Sequence, residues 1–166
     1  FSVVRYGNVL NSRGSVVPFF KSIPKGTPIP ITDIKMTRFL ITFEDAIMQV
    51  LNAFKDMVGG EIYIKKLPSI KITDLAKAIH PDSKFKIIGI RPGEKIHEQM
   101  ISSDESLYTY EYPDYYKILP SLYEWNKDKR RIKKGKNVEE SFEYISSINN
   151  NWLSVSEIKK WIKVYS

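Results

Sequence analysis

Three short runs hold the residues best suited to chemistry, and each sets polar side chains just behind apolar, strand-forming ones. The first is RYGNVLNSRGSVVPFF at 5–20, where Asn8, Asn11, Ser12 and Arg13 follow a strand and open a short helix. In doubly wound folds ligands collect at the carboxyl ends of the strands, so these side chains would project into a ligand crevice. A plain strand exit into a capped helix would use the same residue types. The second run is IGIRPGEKIHEQMIS at 88–102. Arg91 follows a strand and precedes a Pro-Gly turn, and its planar guanidinium suits bidentate phosphate binding. Glu94 and His97 stand three apart and would share a helical face. With Glu98 nearby they could form a metal or acid–base site, though a surface ion pair is the simpler reading. The third run is ITDIKMTRFLIT at 31–42, where Arg38 could hold a sugar phosphate or brace a loop through a carboxylate.

Other patterns carry less. Tyr123 and Lys127 stand four apart, and on a helix such a lysine lowers the tyrosine pKa and makes an acid or base. Their stretch lacks helical periodicity, and a chain with 10 tyrosines and many lysines matches this spacing by chance. His80 stands isolated beside Pro81. No Gly-x-Gly-x-x-Gly follows any strand, so the chain cannot build a dinucleotide pyrophosphate cradle alone. Cysteine is absent, which rules out disulfides, thiolate zinc sites and a cysteine nucleophile. No metal site is expected.

The elements that must position these residues are legible in outline. Residues 1–10 read as one strand buried on both faces. A short helix over 16–22 follows, with Ser15 as cap and Pro18 in its first turn. A Pro/Gly connector at 24–30 leads to one or two short strands within 31–43. Apolar residues at 43, 46, 47, 50, 51 and 54 predict a helix over 42–57 that Gly59 and Gly60 terminate. Residues 61–65 and 84–90 read as strands, 69–80 as a helix stopped by Pro81, and 94–100 as a short helix or turn. The tyrosine-rich stretch 107–123 reads as strand or coil. A last helix over 154–164 carries Ser154 and Glu157 as a capping box. Strands alternating with helices predict an α/β fold.

At 166 residues the chain is about one domain, with enough apolar content for a core. Residue 1 is Phe, and strand-forming residues begin at once, so the chain reads as part of a longer polypeptide whose upstream strands would flank the first one. With no signal peptide and no apolar run of membrane length, the expected location is cytoplasmic. The net charge of +7 is concentrated in one place. Lys127, Lys129, Arg130, Arg131, Lys133, Lys134 and Lys136 face only Asp128 in the same stretch. Such a run can bind phosphates as an anion-binding module, but a solvated loop is its ordinary role, and neither nucleic acid nor membrane is an expected partner.

Taken together, RYGNVLNSRGSVVPFF, PITDIKMTRFLIT, GEIYIKKLPSIKITDLAKAI, IIGIRPGEKIHEQMIS with the following DES, and NNNWLS resemble the C-terminal half of the extended short-chain dehydrogenase/reductases. Within that group the chain is most similar to the C5-inverting UDP-N-acetylglucosamine 4,6-dehydratases and their polysaccharide-biosynthesis relatives. The resemblance implies the last strands of a Rossmann-type sheet plus a substrate-binding lobe. It divides the chain into sheet remnant at 1–30 and 43–65, lobe at 31–42 and 66–125, and a C-terminal extension at 126–166. It implies NADP as cofactor, UDP-N-acetylglucosamine as substrate and a homo-oligomer when intact. Asn8, Thr32, Arg91 and Asn150 would bind substrate, with Arg91 on the diphosphate and Asn150 closing the pocket. Val9, Leu10, Asn11, Ser12 and Arg13 would line the nicotinamide side, and Arg38, Glu94 and His97 would stand behind them. The family's glycine-rich loop, Tyr-x-x-x-Lys pair and Asp-Lys pair all lie upstream of Phe1, so the chain alone would hold no catalytic residue. Asn11 stands where relatives often carry Gly. A retaining dehydratase or a UDP-sugar 4-epimerase would share the same lobe.

Overall fold

The computed structural model describes residues 1–165, apart from the side chain of Tyr123. In chain order the first elements are β1 (Val3–Arg5), β2 (Asn8–Val9), α1 (Val16–Ser22), β3 (Ile29–Ile31), β4 (Thr37–Ile41), α2 (Phe43–Asp56), β5 (Ile62–Lys65), β6 (Ser69–Lys71), α3 (Ile72–Ile79) and β7 (Phe85–Ile87). Then come β8 (Gln99–Ile101), α4 (Ser103–Ser106), β9 (Thr109–Glu111), β10 (Tyr115–Ile118), α5 (Lys129–Ile132), β11 (Lys136–Asn137), β12 (Tyr144–Ile145) and α6 (Val155–Val164). They form two compact units, one of 1–6, 44–66 and 99–145, the other of 7–43, 67–98 and 146–166. The fold is mixed α/β, with parallel and antiparallel pairing.

The first unit is built on a five-stranded sheet in the order β1-β5-β10-β9-β11. β1 runs parallel to β5, with Val3 opposite Ile62, and β10 runs antiparallel to β5 and β9. The tyrosine-rich stretch is the β9–β10 hairpin, with Tyr110, Tyr112 and Tyr116 buried. Buried phenols need a hydrogen-bond partner. Tyr110 donates to the Asn126 carbonyl and Tyr112 to that of Ile132, each at 2.7 Å, which ties the basic segment to the hairpin. The predicted helix over 42–57 forms as α2, but it buries the small or polar Ala46, Gln49 and Ala53. Gln49 Nε2 donates to the carbonyls of Arg5 (3.3 Å) and Tyr63 (3.2 Å), pinning α2 across β1 and β5.

The basic run is more than a solvated loop. Arg131 is 6% exposed and lies 2.7 Å from Glu61, itself 1% exposed, while its guanidinium sits 4.3 Å from the Trp125 ring centre. Lys117, equally buried, reaches Asp56 at 2.5 Å and the Arg131 carbonyl at 2.8 Å, and Lys133 also pairs with Asp56. Burial pushes the Asp56 carboxyl up, but hydrogen bonds from Lys117, Lys133 and Tyr63 outweigh it and hold Asp56 below the ordinary range. Burial likewise opposes ionisation of Glu61, and donors from Ser2 and the Gly59 and Val58 amides reverse it.

In the second unit β2 runs parallel to β4, with Asn8 opposite Leu40, and β6 runs antiparallel to β4. β3 and β7 form a separate parallel pair. Leu10, Val17, Phe20, Ile31, Leu75 and Ile158 belong to one core under α1, α3 and α6. The capping box of α6 forms as the spacing predicts: Ser154 Oγ accepts from the Glu157 amide, and the Glu157 carboxylate from the Ser154 amide.

Several expectations are corrected. The single strand over 1–10 is two strands in different units, parted at Tyr6–Gly7. Gly7 passes so close to β4 that an added Cβ would stand 2.6 Å from the Phe39 carbonyl oxygen. β1 is not buried on both faces, since Val3 is 55% exposed and β1 pairs on one side only among the described residues. The first residues of the helix expected over 69–80 form β6, because they pair with β4. Of the two readings offered for 94–100, the non-helical one holds, and the segment runs into β8. Residues 7–30 join 31–43, and β9 and β10 join the sheet of β1, because β10 pairs with β5. Among the described residues no helix is long and apolar enough to cross a membrane.

Candidate functional site

A cleft of about 610 Å³ opens in the second unit, within the size range of small-molecule sites. Thr32 follows β3 directly and Ile88 follows β7, so the carboxyl ends of this parallel pair meet at its wall. Asn8 from β2, Arg38 from β4, and Arg91 and Glu94 from the loop after β7 complete its polar lining. The structure thus brings together five residues that the sequence set 86 positions apart at the extremes.

Arg91 is exposed, and among the described residues its guanidinium has no ion-pair partner. Its amide donates to the Glu94 carboxylate at 3.2 Å, which closes the Pro-Gly turn. Glu94 therefore serves the turn and shares no helical face with His97. Arg38 braces a loop, but through carbonyls and not through a carboxylate. Its guanidinium donates to Thr37 O (2.7 Å), Ile96 O (3.0 Å) and Lys95 O (2.7 Å). Burial lowers its pKa from the ordinary arginine value, against the pull of Glu98 and Glu94.

His97 lies elsewhere, on a second cleft of about 850 Å³ that Thr37, Lys71, Asp74 and Trp152 also line. Successive residues of a strand point to opposite faces, so Thr37 and Arg38 serve different clefts. The Ser146 hydroxyl accepts from the Glu98 amide (2.9 Å) and lies 2.7 Å from Thr37 Oγ1, which lies 2.9 Å from His97 Nδ1. Thr37 Oγ1 thus bridges the Ser146 hydroxyl and the His97 ring in one hydrogen-bonded chain. Glu98 accepts from the Phe39 amide at 3.3 Å, and burial raises its carboxyl pKa. Among the described residues no group of His, Asp and Glu is gathered to hold a metal.

The residues of the turn after β2 divide. Leu10 is spent on the core, and Val9 is half-buried. Asn11 takes the left-handed conformation (φ 59°), which asparagine tolerates better than most residues and glycine adopts freely. Ser12 and Arg13 are exposed. None of these five lines the 610 Å³ cleft. Ser12 and Arg13 thus present polar atoms to solvent, as residues flanking a nicotinamide cofactor would. Asn150 is exposed and away from the cleft, while its neighbour Asn149 donates to Leu67 O (2.8 Å) and Ser69 Oγ (3.1 Å). The Tyr123–Lys127 spacing falls on a side chain outside the described residues.

One cleft residue had no functional signal in the sequence. Ser15 occupies the N-cap position of α1, yet its side chain makes no capping bond. Its Oγ is buried on the cleft wall without a hydrogen-bond partner among the described residues. A buried hydroxyl left unpaired is unfavourable, which marks it as a group awaiting a ligand or water.

Residues 1–120 match the polysaccharide biosynthesis protein family. The chain is 53% identical over 165 residues to the UDP-N-acetylglucosamine 4,6-dehydratase (inverting) of Campylobacter jejuni, covering 95% of this chain and 49% of that protein. It is 37% identical over 163 residues to the UDP-glucose 4-epimerase of Rickettsia canadensis, covering 95% and 48%. The X-ray structure of Pen from Bacillus thuringiensis superposes with a TM-score of 0.82 at 34% identity, covering 99% of this chain and 50% of that one. The chain spans about half the length of the curated relatives it matches.

Proposed function

Because the chain belongs to the polysaccharide biosynthesis protein family, we propose that it is the sugar-nucleotide-binding half of an inverting UDP-N-acetylglucosamine 4,6-dehydratase. The observation that carries this reading is the lining of one cleft by Asn8, Ser15, Thr32 and Arg91, with Arg91 unpaired at its mouth. Arg91 holds the diphosphate with charge-assisted hydrogen bonds. Asn8, Thr32 and the unpaired Ser15 hydroxyl bind the neutral parts of the substrate. Arg38 and Glu94 hold the loop that presents Arg91, and His97 fixes the far end of that loop through Thr37 and Ser146.

NADP, when bound, supplies the acceptor and donor of hydride, and Val9, Asn11, Ser12 and Arg13 meet its nicotinamide flank. The acid–base residues belong to the other half of the protein, so this half is inactive alone. The product enters surface polysaccharide or pseudaminic acid synthesis in the cytoplasm, made by a homo-oligomer of the whole enzyme. The Rickettsia relatives favour one second reading, a UDP-sugar 4-epimerase built on the same lobe.

Calorimetric titration of the chain with UDP-N-acetylglucosamine tests the proposal. Removing a charged hydrogen-bond partner is worth about 1.5–3 kcal/mol, so Arg91→Ala weakens binding roughly 10- to 150-fold. Unchanged affinity in that variant sinks the diphosphate assignment. Product analysis of the whole enzyme separates the rest: inverted C5 in a 4-keto-6-deoxy sugar supports the dehydratase, and a simple C4 epimer supports the second reading.

A further inference from the structure

The first unit holds a pocket of its own, a cavity of about 210 Å³ between α2 and the sheet. Residues directly opposite on antiparallel strands share a face, so Tyr63 and Lys65 of β5 stand with Lys117 and Tyr115 of β10 under α2. The helix closes the pocket with Gln49, Ala53 and Asp56, spaced at i, i+4 and i+7 on one face. Gln49 is 7% exposed. Its Nε2 is committed to the carbonyls of Arg5 and Tyr63, which fixes the orientation of the amide. The opposite atom, Oε1, is then a buried acceptor on a pocket-lining residue, with no partner among the described residues. The substrate reading makes no use of it, and an acceptor left unmade in the interior is unfavourable.

The groups around Gln49 select a positive guest. The Asp56 carboxylate is taken by Lys117, Lys133 and Tyr63, and Lys65 is taken by Asp45 at 3.0 Å. Asp114, exposed at the rim, has no ion pair among the described residues. Tyr115 forms an aromatic wall, stacked on Tyr112 with ring centres 4.4 Å apart. Burial, and then the charge of Asp56, pushes the Tyr115 phenol up to about 12, so it stays neutral in a negative field. The same layer already holds one ammonium on these terms. Lys117 Nζ sits 5.3 Å from the Tyr63 ring centre and 5.0 Å from that of Tyr112, bonded to Asp56. We propose that the pocket binds a small primary ammonium ion. Its N–H groups satisfy Gln49 Oε1, the Tyr115 ring faces its charge, and Asp114 draws it in from solvent. Size sets the rest of the class. A cavity below the roughly 300 Å³ of small-molecule sites takes an amine of a few heavy atoms, and not a nucleotide or a sugar. Asp56 and Asp114 disfavour an anion, and among the described residues no group of His, Asp and Glu is gathered for a metal. The site stands apart from the sugar-nucleotide reading, because the cleft of that reading belongs to the second unit.

The test is titration of the isotopically labelled chain with n-propylammonium chloride, read by amide chemical shifts at neutral pH and constant ionic strength. Two control probes accompany it: sodium propionate, an anion of similar size, and tetramethylammonium chloride, a cation without N–H groups. The expected result is a saturable shift confined to residues 49–56, 63–65 and 114–115. Tetramethylammonium binds there about tenfold more weakly or less, and propionate does not bind. Gln49→Leu removes Oε1 and weakens propylammonium binding about tenfold. That variant also loses two bonds that anchor α2, so Asp114→Asn, which alters only an exposed side chain, carries the test if it fails to fold. Asp114→Asn weakens binding about threefold. The absence of a saturable shift at these residues overturns the proposal and leaves Oε1 to water. Equal affinity for tetramethylammonium overturns it too, as does propionate binding at the same residues or wild-type affinity in Asp114→Asn.

Discussion

Replacing Arg38 by Met keeps the length of the side chain and removes the two bonds that fasten the loop after β7 to β4, together with one to the neighbouring Thr37 carbonyl. The loop bonds go to Ile96 O at 3.0 Å and Lys95 O at 2.7 Å, and the third goes to Thr37 O at 2.7 Å. A hydrogen bond from a charged donor contributes roughly 1.5–3 kcal/mol when well buried. Arg38 is only half-buried and water replaces part of each bond, so the whole brace is worth about 2 kcal/mol. That is a factor of about 30 in the local opening equilibrium. Native-state hydrogen exchange reads it at the Thr37 amide, bonded to Ile96 O at 3.0 Å, and the Glu98 amide, bonded to Ser146 Oγ at 2.9 Å. Both should exchange about 30-fold faster in the variant. Affinity for UDP-N-acetylglucosamine behaves differently. A loop that is closed nearly all the time remains mostly closed after a shift of this size, so binding weakens by no more than about threefold. Thr37 protection within twofold of wild type would refute the brace. A tenfold loss of affinity would show that the guanidinium also touches the ligand.

The ion pair of Arg131 and Glu61 is almost fully buried, so Arg131→Met leaves Glu61 charged and partly unpaired; urea denaturation should show a loss of about 3 kcal/mol, part of which Glu61→Gln restores. A loss under about 1 kcal/mol would contradict that burial. Asp56 and Glu61 have folded-state pKa values below their ordinary 3.8 and 4.5. Their stabilisation is therefore complete above about pH 5 and is lost as pH falls through the depressed values. Denaturation midpoints should drop between about pH 5 and pH 3, and Asp56→Asn should flatten the profile; equal midpoints across that window would refute it. Gly7→Ala places a methyl 2.6 Å from the Phe39 carbonyl and forces the backbone apart, at about 3 kcal/mol, whereas Gly14→Ala has open space and only its φ of 75° to oppose it, at about 1 kcal/mol. Thermal melts of the two variants order them, and the reverse order would be inconsistent with the close approach at Gly7.

How far the residues alone could be read depended on the range of the interaction. The α6 helix and its Ser154–Glu157 box, the α1 helix and the existence of α2 were legible because hydrogen bonds between near neighbours and 3.6-residue spacing decide them locally. Asn8, Arg38, Arg91 and Glu94 could be picked out from their own runs and Thr32 from the family resemblance, and the structure sets all five along one cleft. What they meet was not legible. Arg38 had equal claims on a phosphate and on a loop, and only the approach of residues 95 and 96 to β4 turned its fork toward carbonyls. His97 parted from Glu94 because β4 sends alternate side chains to opposite faces.

The largest gaps arose where partners lie far apart in the chain. Ten residues that pattern as one strand became two, because Gly7 must slip past Phe39, more than 30 positions away. Seven cations within ten residues read as a solvated loop, yet Arg131 is drawn inward by Glu61, 70 residues before it. The apolar stripe of α2 predicted a helix without saying which side would be covered. Residue types and local spacing determined the main helices, and the resemblance carried by several runs determined the family and part of the cleft's polar lining. Tertiary structure alone decided strand order, the orphaned Ser15 hydroxyl and which face of α2 lies open, because each depends on what long-range packing brings, or fails to bring, within contact distance.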